Sequence, residues 1–476
     1  MRIPRRLNVP IHLERDLPEP LQDQLTAQLR GAIVRGQLTA GTRMPSTRTL
    51  AEVLGISRGV ALAAYEALLA EGHISGKRGS GTYVSGRAPE VAPNPPAPPN
   101  PNPPSPPPGS GETVIDLRYE RPSAQAFPLA AWRSAWRRAS HHAPPIDEPP
   151  AAGLPELRAA ITAYLRESRG LVLDGHEVVV TAGYADALEL LLRAQGRPSP
   201  VIALEDPAPP QLRTALGRLG TVLPLRTDGS GARPDLIPAA CDVVAVLPER
   251  GGPLGARMPI ERRRALAAWA RESGGLVLEP ALDGLFNAAL NPRPSVLAVG
   301  DAWSTAMVGS FCDILTPTLR LSFAVVPRHL ARAVEEGMSA GHGQPSFTCQ
   351  LAVTDLLASG CVARRAERLS ALYEDRRTLV RQALGTYPDT RLLGADTGST
   401  ATLLLPVHVR AESAISGLRE RRVRVADLGA YHHPRSVPKN GIVFGYGHLD
   451  PVTLRRVLHA ITRTLDDHCL ARRTAA

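Results

Sequence analysis

The chain has 476 residues, of which 43% are hydrophobic and 21% are charged. This composition is typical of globular proteins, and the length predicts two or three domains rather than one core. No run of about 18 uncharged apolar residues occurs, so the sequence predicts no membrane span. The five scattered cysteines form no CxxC pair, which argues against a zinc or disulfide framework and fits a reducing cytoplasm. The formal charge of +10 favours polyanionic partners.

The first 87 residues predict three helices followed by a hairpin. The second and third helices are predicted over 47–54 and 58–71, with Ser57 as the N-cap of the third. A glycine-rich turn leads into a strand at 82–84. The first helix shows the i, i+4 apolar spacing of an amphipathic helix, at Leu21, Leu25, Leu29 and Ile33.

A helix, a tight turn and a second helix have the geometry of a helix-turn-helix, which presents the start of its second helix to the major groove. Guanidinium groups bind phosphate and guanine edges in a bidentate manner, and glycines let a hairpin tip approach the minor groove. The alternative is an accessory helical bundle whose charges form a solvated face. The predicted DNA-contacting residues are Arg43, Arg48, Ser57, Arg58, Lys77, Arg78, Gly79 and Gly81.

Residues 88–112 are rich in proline and hold little that can be buried. Such a composition is typical of a polyproline-like, semi-rigid tether. Because the segment stands between two patterned regions, we interpret it as a linker rather than as a disordered tail that binds SH3-like partners. The sequence therefore predicts one domain at 1–87 and a second at 113–476.

After the linker, short apolar runs alternate with helix-like stretches. This alternation is the βαβ pattern of a mostly parallel sheet flanked by helices. The part from about residue 365 to 476 predicts a smaller α+β subdomain. The predicted strands lie at 177–181, 201–204, 243–247, 275–279 and 321–326.

The first domain resembles the GntR superfamily of bacterial regulators. The resemblance implies a winged helix-turn-helix, a double-stranded DNA operator as partner, and DNA contacts at Arg48, Arg58 and a wing glycine, Gly79 or Gly81. The chain departs from the family at Gly59–Ala61, where polar residues are common, so base readout there is expected to differ. The stretches that carry the resemblance are Pro20–Leu25, Arg35–Gly41, Met44–Arg48, Leu50–Arg58 and Gly79–Val84.

The second domain resembles the fold-type I aminotransferase domain of MocR-type regulators, a GntR subfamily. The resemblance implies an α/β PLP-transferase-like fold and pairing as a homodimer. It also implies a pyridoxal phosphate (PLP) site, which needs a lysine for the Schiff base, a carboxylate for the pyridine nitrogen and donors for the phosphate. The motifs include Phe127–Trp132, Gly153–Arg158, Tyr164–Gly170, Thr181–Gly183, Glu205–Pro207, Pro253–Gly255 and Pro317–Arg320.

Several residues that this family uses for PLP are replaced in the chain. Asp313 stands at the lysine position, and Lys439 is the only lysine of the domain. Pro280 and Leu282 stand where the family has its aspartate and tyrosine, and Pro209 lies where an aromatic residue would cover the ring. We therefore predict no catalytic residue, no enzyme activity and no resident cofactor.

Two positions on the phosphate side are retained, Ser310 and Arg320, and they are the predicted ligand-binding residues. The alternative is a structural role, with Arg320 buried and paired with Asp313 or Glu279. His432 and its neighbour His433 lack an evident third ligand, so we predict no metal site.

The resulting prediction is a cytoplasmic, DNA-binding transcriptional regulator with no membrane association. Its aminotransferase-like domain senses a small-molecule effector or serves as a dimerisation scaffold. Three alternatives remain at this stage: a PLP-dependent aminotransferase with a DNA-binding appendage, a regulator that holds PLP without a covalent bond, and a purely structural dimer.

Overall fold

A computed structural model of the chain describes residues 9, 11–77, 81–85, 114–118, 122–125, 127–281, 294–341 and 343–475. Backbone contacts divide the chain into two compact units, residues 1–110 and 111–476, and each is described by itself. The predicted linker at 88–112, the wing residues Arg78 and Gly79, and Leu282 lie outside the described residues.

Three helices and a two-stranded antiparallel sheet build the N-terminal unit. Buried leucines from all three helices form its core, among them Leu25, Leu29, Leu50 and Leu68. The elements are α1 (Leu21–Val34), α2 (Thr47–Leu54), α3 (Arg58–Ala70), β1 (Ile74–Lys77) and β2 (Gly81–Val84). This arrangement confirms the predicted winged helix-turn-helix.

An eight-stranded sheet forms the centre of the second unit, which opens with the short strand β3 (Ile115–Asp116). The strands of the large sheet are β4 (His176–Thr181), β5 (Val201–Asp206), β6 (Thr221–Asp228), β7 (Gly231–Ala232), β8 (Val243–Ala245), β9 (Leu276–Ala281), β10 (Thr305–Ser310) and β11 (Ser322–Pro327). Their order is β4-β11-β10-β9-β8-β5-β6-β7.

The central strands β6, β5, β8, β9 and β10 run parallel. β11 is antiparallel to both β10 and β4, and β7 is antiparallel to β6. The predicted mostly parallel sheet is therefore confirmed. β6, β7 and β10 were not among the predicted strands.

Helices cover both faces of this sheet. Along β4, Val178 and Val180 pack into one buried cluster, whereas Val179 packs into another. A strand that is buried on both faces carries apolar residues on both, so polar and apolar residues do not alternate along it, as expected in an α/β fold. The helices are α4 (Leu129–Ser140), α5 (Pro155–Arg169), α6 (Tyr184–Ala194), α7 (Pro210–Gly217), α8 (Ile260–Ser273), α9 (Val296–Val299), α10 (Arg328–Ser339) and α11 (Phe347–Ala358).

A smaller α+β subdomain closes the second unit. Its four-stranded antiparallel sheet has the order β12-β13-β16-β15, and β3 pairs with β14 in parallel. The subdomain therefore includes a strand from the start of the unit. Its elements are α12 (Cys361–Leu384), β12 (Arg391–Leu393), β13 (Thr400–Leu404), α13 (Ala411–Glu420), β14 (Val423–Arg424), β15 (Ala426–Asp427), β16 (Gly441–Gly445) and α14 (Pro451–Ala475).

Candidate DNA interface and candidate ligand cavity

Serine caps fix the starts of both helices of the helix-turn-helix. The Ser46 side chain accepts a hydrogen bond from the Thr49 backbone N–H (3.1 Å), and that of Ser57 accepts one from the Val60 N–H (3.3 Å). Each cap satisfies a backbone donor that the first helical turn leaves without an intrahelical partner. Gly55 ends α2 with φ = 64°, a left-handed conformation that suits glycine and allows the tight turn into α3.

A buried hydrogen bond locks α3 against the segment that precedes α2. The Tyr65 hydroxyl donates to the Pro45 carbonyl oxygen over 3.0 Å. Burial raises the pKa of Tyr65, so the hydroxyl keeps its proton and this bond persists. The second helix of the motif is thus held rigidly, with Arg58 exposed at its start.

The exposed Arg48 of α2 already has an intrahelical partner. Its Nε lies 3.2 Å from the Glu52 Oε1, and the two side chains are 81% and 66% exposed. An exposed pair of this kind contributes little to stability. The guanidinium can therefore exchange its partner for a phosphate at low cost.

The segment before α2 extends the wing. The Met44 N–H donates to the Thr82 carbonyl (2.8 Å), and Arg43 bridges to Tyr83 across the same edge. Gly81 has φ = 110°, and a Cβ placed there would lie 3.1 Å from the Arg43 Nε. The structure thus brings Arg43 against the wing glycine, a proximity that sequence spacing did not show.

A cavity of about 400 Å³ lies in the second unit, where the carboxyl ends of β4, β5, β8 and β10 meet the smaller subdomain. Carboxyl ends of parallel strands are the usual ligand position in open α/β sheets, and ligand pockets span roughly 300–1,000 Å³. Its polar lining includes Arg118, Tyr184, Arg250, Asp313, Thr400 and Tyr431.

Tyr184, the first residue of α6, was missed by the sequence reasoning. Its hydroxyl is buried and has no hydrogen-bond partner among the described residues. Burial, and then the negative charge of Asp313, hold the pKa of this hydroxyl well above its usual 10. The signal was available, because Tyr184 directly follows the family motif Thr181–Gly183.

The two arginines of the cavity are held by different partners. Arg118 forms a bidentate pair with Asp116, with distances of 3.0 and 2.7 Å. Arg250 is buried and donates to the Thr400 carbonyl of β13 over 3.2 Å. Arg250 therefore ties the loop after β8 to the smaller subdomain.

The two predicted phosphate-side residues are not among those that line this cavity. The Ser310 hydroxyl, at the end of β10, is buried and accepts a hydrogen bond from the Cys312 N–H (3.1 Å). Arg320 is exposed and has φ = 47°. The alternative of a buried Arg320 is thereby corrected, since Glu279 instead pairs with Arg169 (3.4 Å).

The loop that follows β8 takes part in a network of buried ion pairs. Glu249 pairs with the fully buried Arg263 over 2.7 Å and lies 3.9 Å from Arg169. Glu279 accepts a hydrogen bond from the Val296 N–H, and burial raises the pKa of its carboxyl. Buried charges of this kind persist only when paired, so the network has a structural role.

His432 and His433 connect the smaller subdomain to the end of β5. The Asp206 carboxylate lies 3.3 Å from the His432 Nδ1 and accepts a hydrogen bond from the His433 N–H (2.6 Å). In the part of the chain that the structure describes, no group of three histidine, cysteine, aspartate or glutamate residues has metal-binding geometry. Within the same residues, no helix combines the length and apolar character that a bilayer crossing needs.

Comparison with known proteins supports both units. The model of the gntR family of bacterial regulatory proteins matches residues 21–84. The pyridoxine biosynthesis transcriptional regulator PdxR of Corynebacterium glutamicum is 34% identical over 457 residues, covering 96% of this chain and 98% of that protein. The probable rhizopine catabolism regulatory protein MocR of Rhizobium meliloti is 28% identical, covering 94% of each chain.

Solved structures show the fold of the second unit. A multiple substrate aminotransferase from Thermococcus profundus superposes with a TM-score of 0.68 at 18% identity, covering 76% of this chain and 93% of that one. The kynurenine aminotransferase of Pyrococcus horikoshii gives a TM-score of 0.67 at 17% identity, covering 75% and 91%. At this identity the likeness concerns the fold alone.

A winged helix-turn-helix followed in one chain by an aminotransferase-like α/β unit defines a class of DNA-binding transcriptional regulators. The near-full-length relatives of this class are named as regulators. The chain belongs to the gntR family of bacterial regulators and, within it, to the group of MocR- and PdxR-type proteins.

Proposed function

We propose that the second unit is a sensor and dimerisation domain that binds a small effector without a covalent bond and does not transaminate. The observation that carries this proposal is Asp313 in the lining of the cavity. A carboxylate cannot condense with an aldehyde, and an amine nucleophile has no substitute in Schiff-base chemistry.

The residues around the cavity do not fit PLP. Pro280 lies within the buried strand β9, paired with Val308 of β10, and offers no carboxylate to a pyridine nitrogen. Without that partner the ring is a weak electron sink. Lys439 follows β15 in the smaller subdomain, at a position where the family has no Schiff-base lysine.

Tyr184 and Asp313 disfavour a phosphate at the start of α6, and the two arginines of the cavity are engaged by Asp116 and by the Thr400 carbonyl. The N-terminus of α6 would be the natural anion site. Tyr184 is the first residue of this helix, and its side chain occupies part of the cavity lining there. The Asp313 charge that raises the pKa of Tyr184 would also repel a phosphate dianion at short range. An unphosphorylated ligand with a largely apolar body, packed against Leu212, Ala215 and Leu247, suits this lining better.

For the N-terminal unit we propose operator contacts by the exposed residues of the helix-turn-helix and the wing. Arg48, Arg58 and Arg43 are exposed and lie on α2, on α3 and beside the wing. We extend the interface to Ser57, Lys77, Arg78, Gly79 and Gly81 on the basis of the sequence pattern and the family resemblance. A regulator that binds operator DNA acts where the chromosome is, which places it in the bacterial cytoplasm.

One preparation of the full chain tests the proposal with two assays. Supplied with PLP, an amino acid and 2-oxoglutarate, it should form no glutamate, whereas the same protein should shift DNA from its own promoter region in a gel. The DNA assay shows that the chain is folded and active. Catalytic formation of glutamate would contradict the proposal, and so would the absence of any DNA binding.

A further inference from the structure

We propose that Leu62 of α3 reads a base, and that its contact is the C5-methyl group of a thymine. The proposal rests on DNA binding through α3. It assigns a base specificity to one side chain, which membership of the family does not by itself imply. The observations are an exposed side-chain stripe on α3, its small flanking residues and the chemistry of the major groove.

The exposed stripe runs along α3 opposite to its buried face. Arg58, Leu62 and Glu66 follow one another at i, i+4 spacing and are all exposed, so their side chains share one side of the helix. The opposite side packs into the core of the unit through Ala61, Ala64, Tyr65 and Leu68. Leu62 is 45% exposed and takes no part in that core.

Small residues flank Leu62 and allow a close approach of the helix. Gly59 is exposed, and a Cβ placed there would meet nothing nearer than the Ser57 Oγ at 3.8 Å. Ala63 on the other side is only partly exposed. Because Gly59 and Ala63 carry no long side chain, the leucine can reach the floor of the groove, which is where base edges are read.

The chemistry of the side chain selects the base. Leucine has no donor or acceptor, and the only apolar group that base pairs display in the major groove is the thymine methyl. One helical turn rises about 5.4 Å, whereas successive bases are about 3.4 Å apart. Arg58 and Leu62 therefore reach bases one or two steps apart, which predicts a guanine near a thymine in the site.

Glu66 sets the depth of insertion. Its carboxylate lies one turn beyond Leu62 on the same stripe, where the negative charge would be repelled by the phosphate backbone. The first half of α3, which carries Arg58 and Leu62, is the part that can enter the groove. This polarity agrees with the way a helix-turn-helix presents the N-terminal residues of its second helix.

The experiment compares thymine with uracil, which differ by one methyl group. The full chain is used to select its preferred duplex from a random-sequence library, and dissociation constants are measured for that duplex with each thymine in turn replaced by uracil. At one position the substitution should weaken binding about fourfold, the effect of removing one buried methyl. In the Leu62→Ala variant the same substitution should have no effect, because the partner of the methyl is gone.

Two control variants separate the possible failures. Leu69→Ala removes a leucine of similar exposure, 52% against 45% for Leu62, from the far end of α3 and should leave the thymine-to-uracil ratio unchanged. Arg58→Ala should weaken binding; if it does not, α3 is not the interface and the premise fails. If Arg58→Ala weakens binding but uracil is tolerated at every position, only the role of Leu62 is overturned. The role is also overturned if Leu62→Ala keeps the wild-type ratio, or if selection returns no preferred duplex.

Discussion

At the scale of single residues, the ion pair between Arg48 and Glu52 gives a prediction for the DNA interface. Removing the carboxylate in Glu52→Gln frees the guanidinium, whereas Arg48→Ala removes one phosphate contact. We expect Arg48→Ala to weaken binding to all sequences alike and to lower the salt dependence of log K by about one unit. Glu52→Gln should strengthen binding.

The measurement is a set of gel-shift titrations at two salt concentrations, with Arg332→Ala as a matched control. Arg332 has the same exposed i, i+4 pair with a glutamate, Glu336, but on α10 of the second unit. If Arg48→Ala and Arg332→Ala bind equally well with equal salt slopes, the assignment of Arg48 to the interface is wrong.

A second residue-scale prediction concerns the buried Glu205 at the end of β5. Burial raises the pKa of its carboxyl from the usual 4.5 to about 7. In the unfolded chain this carboxyl releases its proton near pH 4.5, whereas the folded chain retains the proton until about pH 7. The free energy of unfolding should therefore fall across this window as the pH rises, by on the order of 3 kcal/mol.

Glu205→Gln removes the titration and should flatten this part of the pH profile. All four tryptophans lie in the second unit, so urea unfolding followed by tryptophan fluorescence at pH 5 and pH 8 reports on it directly. Glu261→Gln, an exposed residue of α8, is the control and should keep the wild-type profile. A Glu205→Gln profile as steep as that of the wild type would show that Glu205 is not the group responsible.

At the scale of elements, the start of α3 depends on the Ser57 cap. Ser57→Ala leaves the Val60 N–H without its acceptor, which should cost about 1 kcal/mol. Hydrogen exchange across α3 in the full chain should accelerate about fivefold, while exchange in α1 changes less. Ser57→Asp restores an acceptor and should exchange as the wild type does. Equal protection of α3 in Ser57→Ala and wild type would argue against the cap.

The helices of the N-terminal unit could be predicted from sequence because their signals are local. α2 begins after Ser46 and ends at Gly55, and the predicted span 47–54 equals the observed one. Caps and glycine stops act within one turn, so no distant information is needed. The hairpin of the wing was likewise predicted from a local signal, the glycine-rich turn before the strand at 82–84.

The sheet of the second unit was predictable in type but not in full. β10 contains Gly309 and Ser310, which weaken an apolar strand pattern, and it was missed. The pairing of β3 with β14 joins segments about 300 residues apart in the chain and leaves no local signal. The antiparallel direction of β11 is likewise set by chain topology.

The candidate cavity also combines a residue that the sequence identified with residues that only the fold brings together. Asp313 was found because a motif gave its position, and the structure places it in the cavity lining. Arg118, Arg250 and Tyr431 come from loops far apart in sequence, so only the fold brings them together. Arg320, a predicted ligand-binding residue, is exposed and is not in the lining of this cavity. One motif position does not specify which way a loop residue faces.

At the scale of the whole molecule, we expect a homodimer formed by the second unit, as the family resemblance implies. Light scattering at micromolar concentration should give twice the chain mass of 50.8 kDa. The fragment 112–476 should also be a dimer, whereas residues 1–87 alone should be monomeric. A monomeric full chain, or a dimer that requires residues 1–87, would contradict this expectation.

We propose that this regulator has the aminotransferase fold but not its covalent cofactor chemistry. The most direct measurement is to incubate the full chain with PLP, reduce it with borohydride and search its peptides for a phosphopyridoxyl adduct by mass spectrometry. Asp313 cannot form such an adduct, and we expect that no site is modified stoichiometrically. A stoichiometric adduct on Lys439, together with the visible absorbance of a PLP Schiff base before reduction, would contradict it.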